Sequence, residues 1–211
     1  MHYDLQTKLH ISRCIARLRD KETDSEEFRK QLEKLGEYVT IEALGELESR
    51  EEKVETPLDT ATFLNIADDI VVIGILRAAL PMTDGVLSII PEASVGYLSA
   101  SRGQMIEDEG KNFEILTNYS KLPDCTGRTV LIVDPMLASA STMLKAIGDV
   151  REMIPKKIIV LCALAAKFGV ERIEKLYPDI SIYIGALDEV LNEKGYIVPG
   201  LGDAGDRAFN T

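Results

Sequence analysis

The residues with the clearest chemical meaning form one run: Asp134, Pro135, Met136, Leu137, Ala138, Ser139, Ala140, Ser141 and Thr142. It follows the apolar stretch Thr129–Val133, a buried strand by composition, and precedes a helical pattern marked by Met143, Ile147, Val150 and Ile154. An acid at a strand tip, then small residues and hydroxyls at a helix start, suits two tasks. Small side chains let backbone N–H groups approach an anion, and the helix N-terminus adds unsatisfied donors and a positive dipole. Ser139, Ser141 and Thr142 add hydroxyl donors, and Asp134 stands where a carboxylate can accept from two vicinal hydroxyls. Phosphate at one end and a diol at the other describe ribose 5-phosphate. The same residues would also make an ordinary strand–loop–helix turn with Ser or Thr as N-cap.

Arg77 closes the apolar run Ile70–Leu76, and Arg102 lies in the polar stretch 99–111 (SASRGQMIEDEGK), which reads as a long mobile loop. A guanidinium can grip phosphate through two parallel hydrogen bonds. Each also has a plain reading, Arg77 as a surface charge paired with a carboxylate and Arg102 as part of a solvated charge run. The C-terminal run from Gly195 to Arg207 (GYIVPGLGDAGDR) carries four glycines, two acids and a proline, too much glycine for a regular helix. Tyr196, Ile197, Val198, Leu201 and the nearby Phe209 set it apart from a frayed tail. It reads as a shaped loop whose main-chain groups could recognise a flat heterocycle with amide-like edges.

The elements that must position these groups follow from periodicity. Ile70–Ile75, Thr129–Val133, Lys157–Leu164 and Ile180–Leu187 are apolar, β-branched runs of strand length. Helical patterns separate them: Pro81–Ile90, the Met143 segment ended by Pro155, and Val170, Ile173 and Leu176 before Pro178. This alternation predicts an α/β fold with a mostly parallel sheet flanked by helices, whose ligands sit beyond the carboxyl ends of the strands. Two amphipathic helices come first, one on Ile11, Ile15 and Leu18, the other on Phe28, Leu32, Leu35 and Val39 after Thr23-Asp24-Ser25-Glu26, which has capping-box spacing. They read as a lid or an oligomer contact. The charged stretch 46–55 reads as a solvated connector or helix end.

Composition narrows the function classes. The chain of 211 residues has 24 Lys plus Arg against 35 Asp plus Glu, a net charge of −11. Such a surface repels nucleic acid over most of its area. The only histidines, His2 and His10, lie near the N-terminus, which disfavours a His triad or a His metal cage. Cys14, Cys125 and Cys162 are scattered and odd in number, so a reducing cytoplasm fits best. The N-terminus lacks the pattern of a secretory signal, and the longest apolar run, Ile70–Leu76, is seven residues, against about 20 needed to span a bilayer. The expectation is a cytoplasmic protein without nucleic-acid or membrane partners.

Three segments in this order, ILRAALPM from Ile75, VLIVDPMLASAST from Val130 and GYIVPGLGDAGDR from Gly195, resemble the uracil phosphoribosyltransferase family of type I phosphoribosyltransferases. The resemblance implies a single domain over 1–211, with an N-terminal helical segment (1–50) and a C-terminal base-binding hood or loop (188–211). It implies a pentosyltransferase that makes UMP and diphosphate from uracil and phosphoribosyl diphosphate (PRPP) with Mg²⁺, in pyrimidine salvage. Carried onto matching positions, Arg77, Arg102 and Asp203 are the catalytic candidates. The two arginines contact the diphosphate of PRPP, Asp134 accepts the ribose diol, Ala138 to Thr142 form the 5′-phosphate cradle, and Pro135, Met136 and Leu137 are further PRPP-binding residues. Ile197, Gly202, Asp203 and Ala204 read uracil. No direct protein ligand to the metal is expected. Mg²⁺ rides on PRPP, with Asp203 reaching it directly or through a water. The family further implies a homodimer or homotetramer, with GTP and CTP as candidate effectors. Ala140 and Ser141 stand where the family carries glycines, and the backbone there can still cradle phosphate if both keep negative φ.

The reaction asks little covalent chemistry of the protein. Displacing diphosphate from the ribose C1 builds positive charge on the ring and negative charge on the leaving group, so holding both ends and neutralising the anion is the main task. Closure of the 99–111 stretch over PRPP would exclude water. Two other readings use the same fold: a transferase for another nucleobase such as xanthine, and a non-catalytic RNA-binding regulator that senses PRPP or UMP. A purely structural α/β domain leaves the glycine-rich terminus unexplained.

Overall fold

The computed structural model describes residues 1–107 and 112–211, and their side chains outside 101–114. Strand β1 (His2–Asp4) precedes helices α1 (Leu9–Arg19) and α2 (Ser25–Ala43); a short 3-10 turn (Leu44–Glu46) leads to strands β2 (Ser49–Glu55) and β3 (Thr60–Ile66). Next come β4 (Ile70–Leu76), α3 (Leu80–Ile89), β5 (Ser94–Glu107) and β6 (Asn112–Lys121). Then follow β7 (Thr129–Val133), β8 (Met136–Leu137), α4 (Ser141–Arg151), β9 (Lys157–Ala166), α5 (Lys167–Leu176) and β10 (Ser181–Asp188). The short strands β11 (Val190–Leu191) and β12 (Ile197–Val198) pair before α6 (Ala204–Phe209) ends the chain.

The main sheet runs in the order β1-β10-β9-β7-β4-β5-β6, with β8 beside β9. Every pairing is parallel except β5 with β6. The chain leaves β4 to one side for β5 and returns on the other side as β7. That reversal puts the topological switch point between β4 and β7, where such sheets open a crevice for ligands. Arg77 and Asp134 follow the two strands that flank it.

Alternate residues of the strands serve two cores, as a pleat of period two requires. Val72, Leu131, Val133 and Leu161 pack with Ile11, Phe28, Leu32 and Met82 from α1, α2 and α3. Ile73, Val130, Ile132 and Val160 pack with Met143, Ile147 and Ile173 from α4 and α5. The N-terminal helices are therefore one covering layer of the sheet, where a lid or an oligomer contact was expected. Phe28, Leu32, Leu35 and Val39 are wholly buried. The cap of α2 falls one residue later than the Thr23–Glu26 spacing suggests: Asp24 accepts from the Glu27 backbone N–H at 2.8 Å.

Two segments expected as connectors are strands. Most of the charged stretch 46–55 is β2, in an antiparallel ladder with β3 from Ser49↔Ile66 to Glu55↔Thr60. Nearly every residue of this hairpin is exposed, so no apolar alternation marks it. Residues 99–107 belong to β5 and pair with β6 through register shifts, while 108–111 lie outside the described residues. Among the described residues, no helix is long and apolar enough to cross a membrane.

Candidate active site

The loop after β7 keeps its shape through main-chain bonds. Asp134 donates its N–H to the Leu161 carbonyl at 3.1 Å, and its half-exposed carboxylate accepts from the Met136 N–H at 3.2 Å. Ser139 and Ser141 are buried, with hydroxyl oxygens 3.2 Å apart. Ala140 caps α4 at φ 65°, in the left-handed region, and its carbonyl accepts from the Leu144 N–H at 2.8 Å. The condition of negative φ is thus not met at Ala140: a residue with a Cβ occupies a conformation that favours glycine.

The residues behind the loop explain how that conformation is held. A Cβ at Gly169 would come within 2.3 Å of the Ala138 carbonyl oxygen, so α5 packs hard against the loop. Arg172 of α5 donates to the Ser139 carbonyl at 2.6 Å and reaches the Ser141 hydroxyl at 3.4 Å. Sequence reasoning misses Arg172, since a helical Arg 33 positions downstream of Ser139 carries no local signal.

The C-terminal segment folds over the same end of the sheet. Leu191 pairs with Ile197, and Gly200 turns the chain at φ 63°, where a Cβ would meet the Ile197 carbonyl oxygen at 2.1 Å. Cis peptides join Leu76 to Arg77 and Val198 to Pro199. Asp203 caps α6 by accepting from the Gly205 N–H at 2.9 Å and the Asp206 N–H at 3.0 Å, both on Oδ1. Arg77 donates to Asp206 at 3.1 Å and to the Thr211 hydroxyl at 2.6 Å, with its guanidinium carbon 5.7 Å from the centre of the Phe209 ring. The Arg102 side chain lies outside the described residues; its backbone, in β5, pairs with Ile115 of β6.

These pieces enclose two adjoining cavities. One of about 160 Å³ is lined by Met136 and Ala138 on one side and by Tyr196, Ile197, Gly202, Asp203 and Ala204 on the other. A second of about 40 Å³ is lined by Asp134 and the loop from Met136 to Met143. Met136 and Ala138 belong to both. The strand-tip acid and the glycine-rich terminus thus meet at one site. A larger cavity of about 660 Å³ lies away from it between α1 and α2, among Arg13, Arg17, Lys34 and Tyr38. Glu27 and Tyr38 also line it, but it has none of the Asp, Ser, Thr and Gly residues that recommend the smaller pair.

The acids at the site, Asp134 and Asp203, are the hard oxygen donors that suit Mg²⁺. Among the described residues, no three His, Cys, Asp or Glu gather as a metal cage. Below the site, burial pushes the Cys162 thiol well above its ordinary range, and the Asp134 carboxylate adds to the shift, so that sulfur is no nucleophile.

A mostly parallel sheet with an acid and a hydroxyl-bearing loop at its switch point, closed by a glycine-rich terminus, defines a type I phosphoribosyltransferase. A hypoxanthine phosphoribosyltransferase from Staphylococcus aureus shares the fold at TM-score 0.51 and 12% identity, over 77% of this chain and 76% of that one. The AQ2163 protein from Aquifex aeolicus superposes at TM-score 0.90 with 36% identity, covering 99% of this chain and 98% of that one. A sequence model of the uracil phosphoribosyltransferase family matches residues 5–211. A uracil phosphoribosyltransferase from Pyrococcus furiosus is 41% identical over 211 residues, 98% of this chain and 89% of its own. The chain belongs to the uracil phosphoribosyltransferase family.

Proposed function

We infer that this chain transfers ribose 5-phosphate from PRPP to uracil, forming UMP and diphosphate in pyrimidine salvage. The observation that carries this reading is the meeting of two cavities across Met136 and Ala138. One is lined by backbone-rich residues that suit a planar base, the other by a carboxylate, hydroxyls and a helix start that suit a ribose phosphate.

The chain works as one catalytic domain over 1–211, with 188–211 as its base-binding segment. Residues Ala138 to Thr142 cradle the 5′-phosphate, Pro135, Met136 and Leu137 add further contacts to PRPP, and Asp134 takes the ribose diol. Ile197, Gly202, Asp203 and Ala204 face uracil. As the bond from ribose C1 to diphosphate breaks, positive charge develops on the ring and negative charge on the leaving group; Arg77 and Arg102 bind and neutralise the latter. Uracil N1 then adds to C1 as its N–H bond breaks, and the proton leaves to the departing diphosphate or to water. Asp203 is the residue that would hold Mg²⁺, directly or through a water, and the ion would supply further positive charge against the diphosphate when bound with PRPP. Enclosure of the site limits competing hydrolysis. The enzyme acts in the cytoplasm as a homodimer or homotetramer, with GTP and CTP as candidate effectors.

The deciding experiment measures PRPP-dependent consumption of uracil beside xanthine, hypoxanthine, cytosine and orotate, with and without Mg²⁺. Uracil alone should be consumed, with UMP formed. Turnover of another base in its place would reassign the substrate. No turnover, with PRPP or UMP binding and retardation of RNA, would make the chain a regulator.

A further inference from the structure

The base-reading segment hangs on an ion pair from the opposite end of the chain. Arg19 closes α1, and Asp188 closes β10. The guanidinium grips the carboxylate with both arms, Nη2 to Oδ1 at 2.6 Å and Nη1 to Oδ2 at 2.8 Å. The same two side chains hold both polar groups of Gly200: its N–H donates to Asp188 Oδ2 at 2.9 Å, and its carbonyl accepts from Arg19 Nη1 at 2.9 Å. The Asp188 side chain is 7% exposed and that of Arg19 is 21% exposed, so water competes weakly for either. Gly200 stands between Ile197 and Gly202, two of the residues assigned to uracil.

We propose that Arg19 and Asp188 are positioning residues for uracil. They fix the Gly200 peptide, and through it the spacing between Ile197 and the Gly202–Ala204 backbone that faces the base. Neither lines the base cavity, so they act through the loop rather than by touching substrate. Both backbone groups of Gly200 are taken by one ion pair, the carbonyl by the Arg19 fork and the N–H by the Asp188 carboxylate, so a shift of that pair moves the whole turn. Lysine keeps the charge but cannot hold a carboxylate and a carbonyl in one plane. This inference rests on the assignment of 197–204 as the base-reading segment. It gives α1 a part in substrate recognition that its sequence, an amphipathic helix ending in Arg19, does not display.

The test measures separate Michaelis constants for uracil and PRPP in the full-length enzyme, wild type against Arg19→Lys and Asp188→Asn, with thermal melts to confirm folding. Wild-type turnover of uracil is the control: its absence would count against the proposed function, whatever the variants do. Given an active wild type, the expected result is a KM for uracil raised at least tenfold, a KM for PRPP within twofold of wild type, and weakened discrimination against cytosine. An unchanged KM for uracil in a folded variant, or equal increases for both substrates, overturns the proposal. Removing one buried partner strands the other's charge, so a single variant could fail to fold. The double variant Arg19→Gln/Asp188→Asn removes both charges and is measured for the same split: a selective rise in the KM for uracil supports the proposal, and an unchanged or unselective KM overturns it.

Discussion

Arg77 Nη2 lies 3.1 Å from Asp206 Oδ1 and 2.6 Å from Thr211 Oγ1. The cation that follows β4 is thus held by the last helix and the last residue of the chain. Half its side chain is exposed, so this pair contributes little to stability and leaves the guanidinium open to a stronger anion. PRPP, with its diphosphate, is such an anion. Arg77→Gln should raise the KM for PRPP at least tenfold with little change in the KM for uracil. Asp206→Asn, which removes only the resting partner, should leave the KM for PRPP within about threefold. Equal effects of the two variants in steady-state kinetics would reduce Arg77 to a structural role.

Asp203 has one observed role, the cap of α6, and one proposed role at the metal-bearing PRPP, and chemistry can separate them. Its Oδ1 caps α6, which asparagine can also do, while its charge is what a metal-bearing PRPP would meet. Asp203→Asn should therefore keep the wild-type melting temperature yet lower turnover more than tenfold. Asp203→Ala should lose both the cap and the turnover. A folded Asp203→Asn enzyme with near wild-type kcat would remove the charge from the mechanism.

Asp134 accepts from the Met136 N–H at 3.2 Å, which orients its carboxylate at the crevice. A ribose diol needs two acceptor oxygens, and asparagine offers one. Asp134→Asn should raise the KM for PRPP. Unchanged saturation by PRPP would contradict the diol assignment.

What is legible in the sequence depends on whether the signal is local. β4, β7, β9 and β10 are continuous apolar runs because both their faces are covered, and their expected bounds agree with the structure to within a residue or two. The glycine-rich terminus is legible as an ordered segment because its apolar residues have to pack somewhere, but the short strand β12 and the helix α6 inside it are not, since its glycines argue against both. The β2–β3 hairpin is not, since exposure on both faces erases the period-two pattern. The clamp of Arg19 on Asp188 spans 169 positions and cannot be inferred from either residue alone. One signal does point to it: Asp188 closes a strand, as Asp134 follows one, and strand tips are where ligands of such sheets gather.

The left-handed Ala140 gives a stability prediction with an internal control. Ala138 and Ala140 are both buried, 8% and 5% exposed, and lie in the same loop, but only Ala140 has positive φ. Replacing either by glycine removes one buried methyl, about 0.8 kcal/mol, and adds unfolded-state freedom, about 0.4–1 kcal/mol. At Ala140 the change also relieves a left-handed strain of about 1–2 kcal/mol. Ala140→Gly should therefore unfold at higher denaturant than Ala138→Gly, by about 1 kcal/mol or more. Equal midpoints would mean that the turn carries no such strain.

At the opposite end of the sheet, Glu46 ties the start of two strands to the turn after α2. Its carboxylate accepts from Ser181 Oγ at 2.9 Å, Tyr183 Oη at 3.0 Å and Lys157 Nζ at 3.2 Å. Burial alone would raise its pKa, but these three donors outweigh it and hold the carboxyl below the ordinary value of 4.5. A carboxyl depressed on folding adds stability above its unfolded pKa, and that stability is lost as pH falls through the folded value. Glu46→Gln should thus destabilise the protein by about 1–2 kcal/mol at pH 7, the usual worth of such hydrogen bonds. The gap from wild type should narrow once the pH drops below about 4. Urea melts of the two proteins at both pH values check this, and a gap of constant size would show that Glu46 is not the titrating group. Because Glu46 sits at the amino ends of β9 and β10, away from the crevice, the variant should keep both Michaelis constants at pH 7.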